Sequence, residues 1–375
     1  MVTYNDVKDF YDAKIREGLR IDYKKDFPSE LNRIAASFAN TAGGIILLGI
    51  ETDEANVPSQ IVGVPLVKGL EERVLNICHS GIYPPITPDV KVCPYSSTDG
   101  SSPDKCLIMV RVHESAQAPH LIGKKRNLIY VRIDNESEQA DPDAIRNLIE
   151  KQERGIQRSK EILGSRKLVS PFQPEIAGTP EFPNWLTTQV ILLPSSITRS
   201  LTEFTQETDR FLGALPKGRM EFGDENPKQN GIEWHLEKND FESFAEVTND
   251  GLIQYKQKEK REDTVFFPRV VQLISDAVNF ATAVYKEFGF VGSVTVSLVL
   301  EGTKNRHLLG EEWHNAHSNY ISATGLVAVQ KEINLDQLAL EPITLIERMF
   351  LDFARAFKWS MSKDEATSIV TSCLH

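Results

Sequence analysis

Residues 31–51 read LNRIAASFANTAGGIILLGIE, and two periodicities meet inside them. Leu31, Ile34, Ala35, Phe38 and Ala39 recur at i, i+3, i+4, i+7 and i+8, which places them on one face of a helix. Pro28 and Ser29 mark the start of that helix; Asn40, Thr41, Gly43 and Gly44 mark its end. IILLGIE then runs apolar without alternation, the pattern of a strand buried on both faces. A helix leading through a glycine turn into a buried strand belongs to a mixed helix–sheet layer, not to an all-β protein.

The flanking sequence extends this reading. Upstream, residues 4–16 carry Val7, Phe10, Tyr11 and Ile15 near helical spacing, and Leu19, Ile21 and Tyr23 then alternate as in a strand. Downstream, a helix is expected at 70–79, strands at 106–112 and 128–133, and a helix from Asp141 to about Arg154. A first domain at 1–155 follows. A linker is expected at 156–184, where a charged run that can extend the preceding helix gives way to the proline-rich SPFQPEIAGTPEFP.

Residues 185–375 read as a second domain. WLTTQVILLP, GLIQYKQ and GSVTVSLVLEG are strand candidates, and YISATGLVAVQKEI is the expected antiparallel neighbour of the last. Val271, Ile274, Val278, Ala281, Tyr285 and Phe288 share one face of a long helix. Pro342 opens a final large helix whose stripe of Leu345, Ile346, Met349, Phe350, Phe353 and Phe357 is core packing. The fold class expected is α/β in the α+β sense, in two domains.

Composition bounds the function. The 375 residues are 41% hydrophobic and 25% charged, enough apolar material for two cores. A net charge of -11 argues against a general polyanion binder, although one basic face can still act within a Debye length of ~8 Å. No apolar run approaches the roughly 18 residues of a membrane span, and MVTYNDVKDFYDAK lacks a signal-peptide core, so a cytoplasmic protein without membrane partners is expected. Cys78, Cys93, Cys106 and Cys373 show no metal-ligand spacing and read as free thiols.

Several groups could carry chemistry. Asp22 and Lys24 share a strand face, an arrangement in which a carboxylate holds a divalent metal and an ammonium steadies charge on a phosphate. The plain alternative is a surface ion pair worth ~0–1 kcal/mol. A bend at Gly18 would bring Glu17 to Asp22, while Glu51 and Asp53 leave the end of the IILLGI strand on a common face. If these acids converge, Glu17, Asp22, Glu51 and Asp53 make an oxygen cluster suited to Mg2+ or Mn2+. Asn40, Gly43 and Gly44 form a turn that either admits a phosphate or simply stops the helix, and no P-loop is present.

Arg20, Lys24, Lys25, Arg33, Arg111, Lys124, Lys125, Arg126 and Arg132 could line one basic groove near His120. Tyr130 or Tyr23 could stack an unpaired base there, worth roughly 1–3 kcal/mol; dispersed surface charge is the alternative. In the second domain, His314 and His317 with Glu311 or Glu312 would suit zinc on a helix, but Gly310 and Asn315 favour an exposed loop.

EGLRIDYKKDF, IAASFANTAGGIILLGIETD, IVGV, YPPITPDV, VRVHESAQAPH and IYVRIDNESEQAD follow one another in order over about residues 12–145. This succession resembles the AlbA-type domain shared with the Schlafen proteins. The resemblance implies a nucleic-acid-binding α/β domain of a kind described in prokaryotes as DNA- or ATP-binding. Some vertebrate Schlafens cut transfer RNA with three metal-binding carboxylates. Carried over, the first is Glu17, the second Asp22 with Lys24 after it, and the third Glu51, with Asp53 its competitor. One departure is Asp22 where glutamate is usual, so its carboxylate would sit one methylene closer. Another is the single lobe, which a homodimer could double.

The expectation is therefore an RNA- or DNA-binding protein and candidate metal-dependent endoribonuclease. The alternatives are a non-catalytic DNA-binding regulator or defence component, and a sensor of ATP or another nucleotide. The role of residues 185–375 would be regulation or dimerisation.

Overall fold

The computed structural model describes residues 4–95, 104–123, 127–168, 185–198, 225–260, 263–290, 292–310 and 320–374. The chain divides into two compact units, Met1–Glu153 and Arg154–His375.

The first unit runs α1 (Tyr4–Asp12), β1 (Ile21–Lys24), α2 (Leu31–Asn40), β2 (Gly44–Leu48), β3 (Ile50–Thr52), β4 (Pro58–Ile61) and β5 (Val64–Pro65). It continues through α3 (Leu70–Gly81), β6 (Ile82–Tyr83), β7 (Asp89–Tyr95), β8 (Lys105–Val112), β9 (Leu121–Ile122), β10 (Leu128–Ile133), β11 (Glu136–Gln139) and into α4 (Pro142–Leu168). In the main sheet β2 lies parallel to β1 and antiparallel to β8, which also pairs with β5 and β7. A second sheet has the order β11-β10-β9-β6.

The opening stretch explains this layering. The apolar face of α2, with Leu31, Ile34 and Phe38, packs with Val74 of α3 over Ile46, Leu48, Ile108 and Val110. Ile21, Tyr23, Leu47, Leu107 and Met109 point to the other side of the sheet and cluster with Val7 of α1. Thus β2 is covered on both faces, as its unbroken apolar run requires; each such large side chain stabilises by ~1.5–3 kcal/mol when fully buried.

One expectation fails here, with consequences for the site. IILLGIE is two strands, because Gly49 turns the chain with φ +96°. Its N–H donates to Lys24 O at 2.7 Å, and its own carbonyl accepts from the N–H groups of Val62 and Gly63, each at 2.9 Å. A Cβ at Gly49 would lie 2.9 Å from Gly63 Cα, so only glycine fits this crossing. β3 therefore leaves the sheet and pairs with β4 in a separate two-stranded ribbon.

The second unit contains β12 (Trp185–Pro194), β13 (Glu225–Lys228), β14 (Gly231–Lys238), β15 (Phe241–Thr248), β16 (Ile253–Lys260) and β17 (Thr264–Phe266). Then come α5 (Phe267–Glu287), β18 (Ser293–Glu301), β19 (His307–Leu309), β20 (Leu326–Asn334), α6 (Leu335–Leu340), α7 (Pro342–Ala356) and α8 (Lys363–Leu374). A seven-stranded antiparallel sheet has the order β13-β14-β15-β16-β12-β18-β20, and β18 and β20 pair as expected. α5 packs on β12 and β16, α7 on β20.

The expected linker needs correction. Residues 156–168 are helical, and Leu163 of α4 packs with Ile191, Leu193, Ile197 and Leu252 of the second unit. Ser159 Oγ donates to Pro194 O at 2.7 Å, and Arg158 pairs with Asp250 at 2.6 Å. This half of the charged run is structural; the proline-rich half, 169–184, lies outside the described residues. Among the described residues, no helix is long and apolar enough to cross a membrane.

Candidate nucleic-acid interface

β1 places Asp22 and Lys24 on the same side, and Lys24 Nζ lies 2.7 Å from Asp22 Oδ2. Asp22 Oδ1 receives a hydrogen bond from Arg132 Nη2 at 2.8 Å; both side chains are 2% exposed. The same guanidinium donates to the carbonyls of Gly18 and Ile21, at 3.2 and 3.4 Å, and lies over the Phe38 ring. Lys24 Nζ donates to Tyr23 O at 3.0 Å, and Asp22 Oδ2 has no aligned hydrogen-bond partner. Asp22 is a buried anion held by two of the chain's own cations.

Glu17 turns back towards β1 through the bend in which Gly18 N–H donates to Ile21 O at 3.2 Å. Gly18 does not adopt the left-handed conformation in that bend. Glu17 Oε1 accepts the Tyr23 N–H at 2.7 Å and lies 3.9 Å from Lys24 Nζ. The carboxylate thereby caps a main-chain donor of β1, an edge strand of its sheet. Burial raises the Glu17 pKa above the usual carboxylate value, opposed by the Tyr23 hydrogen bond, and it pushes the Tyr23 hydroxyl up to about 12.

Glu51 and Asp53 do not join them. Glu51 pairs with Lys25 at 3.0 Å, both substantially exposed. Asp53 Oδ1 accepts the N–H groups of Ala55 and Val57, at 2.9 and 3.0 Å, and so closes the turn before β4. Among the described residues, no three of His, Cys, Asp and Glu gather as a metal-holding group. The expected Mg2+ or Mn2+ cluster of Glu17, Asp22, Glu51 and Asp53 does not fit this arrangement, because the turn at Gly49 carries the last two away.

The glycine turn is closed by the protein itself. Gly43 has φ +67°, its N–H donates to Phe38 O at 2.9 Å, and a Cβ there would lie 2.8 Å from Val112 O and Glu114 N. At Gly44 a Cβ would meet the Phe38 ring at 2.5 Å. Residues 112–114 and Phe38 thus approach the two glycines closely, and the Gly43 N–H closes the end of α2 as a helix stop does. Asn40 is a buried clamp: its Nδ2 donates to the carbonyls of His120 and Tyr130, at 3.0 and 2.9 Å, and its Oδ1 accepts the His120 N–H at 2.7 Å. His120 is fully buried, and that burial lowers its pKa to about 4.

The cations expected to line a basic groove differ in their surroundings. Arg132 is buried and committed to Asp22, so it is not a phosphate contact. Arg20 is exposed, as is Arg16, and neither makes an ion pair among the described residues. Arg33 pairs with Glu30, with its guanidinium 5.7 Å from the centre of the half-buried Tyr130 ring. Arg111 is exposed on β8. Lys124, Lys125 and Arg126 lie outside the described residues, as do Glu311, Glu312, His314 and His317. Sequence reasoning missed the structural duties of Arg132 and Asn40; no local pattern connects Asp22 to a residue 110 positions away.

Residues 17–141 match the family model described as Schlafen, AlbA_2, in agreement with the resemblance of the amino-terminal region. No curated protein matches the chain. Among solved structures, the chain is similar to the N-terminal domain of an ATP-dependent DNA helicase RecG-related protein from Nitrosomonas europaea, at 22% identity and a TM-score of 0.26. That match covers 38% of this chain and 94% of the other, and its superposition is too weak to carry an argument.

Proposed function

We propose that the Schlafen AlbA_2 domain at residues 17–141 binds nucleic acid and that its buried acids hold the fold instead of serving metal-dependent cleavage. The family match supports the nucleic-acid role. The observation that carries the second half is the Asp22–Arg132 pair, which neutralises in the interior the carboxylate that a metal would need. Exposed Arg16 and Arg20, on either side of the Glu17–Gly18 bend, supply cations for phosphates. Such contacts release counterions, so affinity falls with salt by a log–log slope of about -0.7 per phosphate on a single strand.

Two measurements test this reading. Anisotropy of labelled RNA and DNA, titrated with the full chain at several salt concentrations, should show binding that weakens with salt. The Arg16→Ala/Arg20→Ala variant should bind less tightly and with a shallower slope. Failure to bind either polymer at low salt rejects the nucleic-acid role. Transfer RNA incubated with the wild type and Mn2+ should stay intact. Cleavage that vanishes in a folded Glu17→Gln/Asp22→Asn variant would establish the hydrolase instead; the approach of Lys24 Nζ to both carboxylates makes this the competing reading.

A further inference from the structure

We infer, resting on the nucleic-acid reading above, that this domain takes a single strand and holds its bases on two arginine–aromatic ledges beside α2. The first ledge is Arg33 over Tyr130. The second is Arg73, whose guanidinium lies 4.1 Å from the centre of the Phe27 ring. Phe27 precedes the first residue of α2 by four positions, and Arg33 lies in its first turn. Both rings are half-buried and pack against the same hydrophobic core, so the ledges have a common rigid base.

The chemistry favours unpaired bases. A guanidinium is flat, delocalised and weakly hydrated, and an aromatic ring beneath it restrains its plane while leaving an outer face for a base. Arg73 is exposed and has no ion pair among the described residues. Arg33 Nε is buried without a hydrogen-bond partner, although its end group pairs with Glu30. Tyr130 is fixed through its backbone carbonyl by Asn40, which limits the ordering cost of stacking on it. Lys25, two residues before Phe27, is paired with Glu51 at 3.0 Å but has a side chain 51% exposed, so it can exchange that partner for the sugar-phosphate chain. A duplex hides its base faces, so such ledges discriminate against it.

Ordinary packing is the competing explanation, since energetically significant cation–π pairs of lysine or arginine occur about once per 70–80 residues. The test uses the full chain with a labelled oligouridine and a labelled RNA hairpin of equal length. The oligouridine should bind about tenfold more tightly. Tyr130→Leu, which keeps apolar bulk, and Arg73→Ser, at an exposed position, should each weaken oligouridine binding about tenfold. The salt slope should hold for Tyr130→Leu and flatten for Arg73→Ser, and Tyr130→Phe should recover the binding lost in Tyr130→Leu. Equal affinity for strand and hairpin, or variants that bind like the wild type, would overturn the ledges while leaving nucleic-acid binding intact. Wild-type protein that binds neither probe at low salt would instead reject the functional reading beneath them.

Discussion

Arg132→Met tests the central reading of the site. Methionine keeps much of the stem that packs beside Phe38 and removes the guanidinium that Asp22 faces at 2.8 Å. At an effective dielectric of ~20, 332/(20 × 2.8) gives a gross attraction of about 6 kcal/mol. Desolvating two ions consumes several kcal/mol each, so the intact pair contributes little net stability. Removing one partner leaves the other's desolvation uncompensated, at ~3–5 kcal/mol. Lys24, 2.7 Å from the second carboxylate oxygen but with a side chain 35% exposed, offsets part of this and points to the lower end of that range. The double variant Arg132→Met/Asp22→Asn should therefore recover most of the loss.

All four tryptophans, at 185, 234, 313 and 359, fall in the second unit, so their emission would not report on this change. Hydrogen exchange of peptides covering β1 and α2 is the suitable assay. A loss below ~1 kcal/mol for Arg132→Met, or a double variant as unstable as the summed singles, would refute the buried-pair account and leave Asp22 free for other chemistry.

Three further outcomes follow. The folded pKa of His120, about 4, lies below its ordinary 6.5, so the unfolded chain binds the extra proton first. Its contribution, ~3 kcal/mol from 2.5 × 1.36, is complete above about pH 6.5 and is lost as pH falls towards 4. Calorimetry should find that slope in the wild type and not in His120→Gln; identical slopes would contradict it. Glu17 has the opposite sign: its raised folded pKa makes ionisation costly, so stability drops as pH rises from 4.5 through the folded value. Glu17→Gln, which retains an acceptor for Tyr23, should melt above the wild type at pH 7, and that advantage should close in acid. Gly43→Ala forces a Cβ into backbone at 2.8 Å with φ +67°, and should cost ~1–3 kcal/mol in denaturant unfolding of the first unit. A neutral effect would mean the turn is looser than its contacts indicate.

Local pattern accounts for what is legible in the sequence. Leu31 to Ala39 announce α2 by spacing alone, and the alternation in GSVTVSLVLEG announces β18, because burial on one or two faces writes itself into adjacent residues. Gly49 is different: in an apolar run, a glycine that continues a strand and one that ends it look alike. Its close approach to Gly63 involves chain that arrives fourteen residues later. The β14–β15 hairpin shows the reverse failure. Ile232, Trp234 and Leu236 alternate before a two-residue Asn239–Asp240 turn, yet the strand candidates above pass over them. In the site, the Asp22–Lys24 proximity is legible because strand geometry imposes it. The Arg132 counter-ion is not, because tertiary folding alone supplies it.

The division at Arg154 also bears on truncation. Gly155, Ser159, Leu163 and Arg166 recur every three or four residues along α4; Gly155 O accepts the Ile197 N–H at 3.0 Å, and Arg166 pairs with Glu246 at 2.9 Å. A second unit expressed from residue 185 would lack that entire helical stripe. Ile191, Leu193, Ile197 and Leu252 would meet water, and Asp250 and Glu246 would lose their arginines. Such a fragment should be sticky and poorly expressed, whereas one begun near Arg154 keeps the helix that completes it.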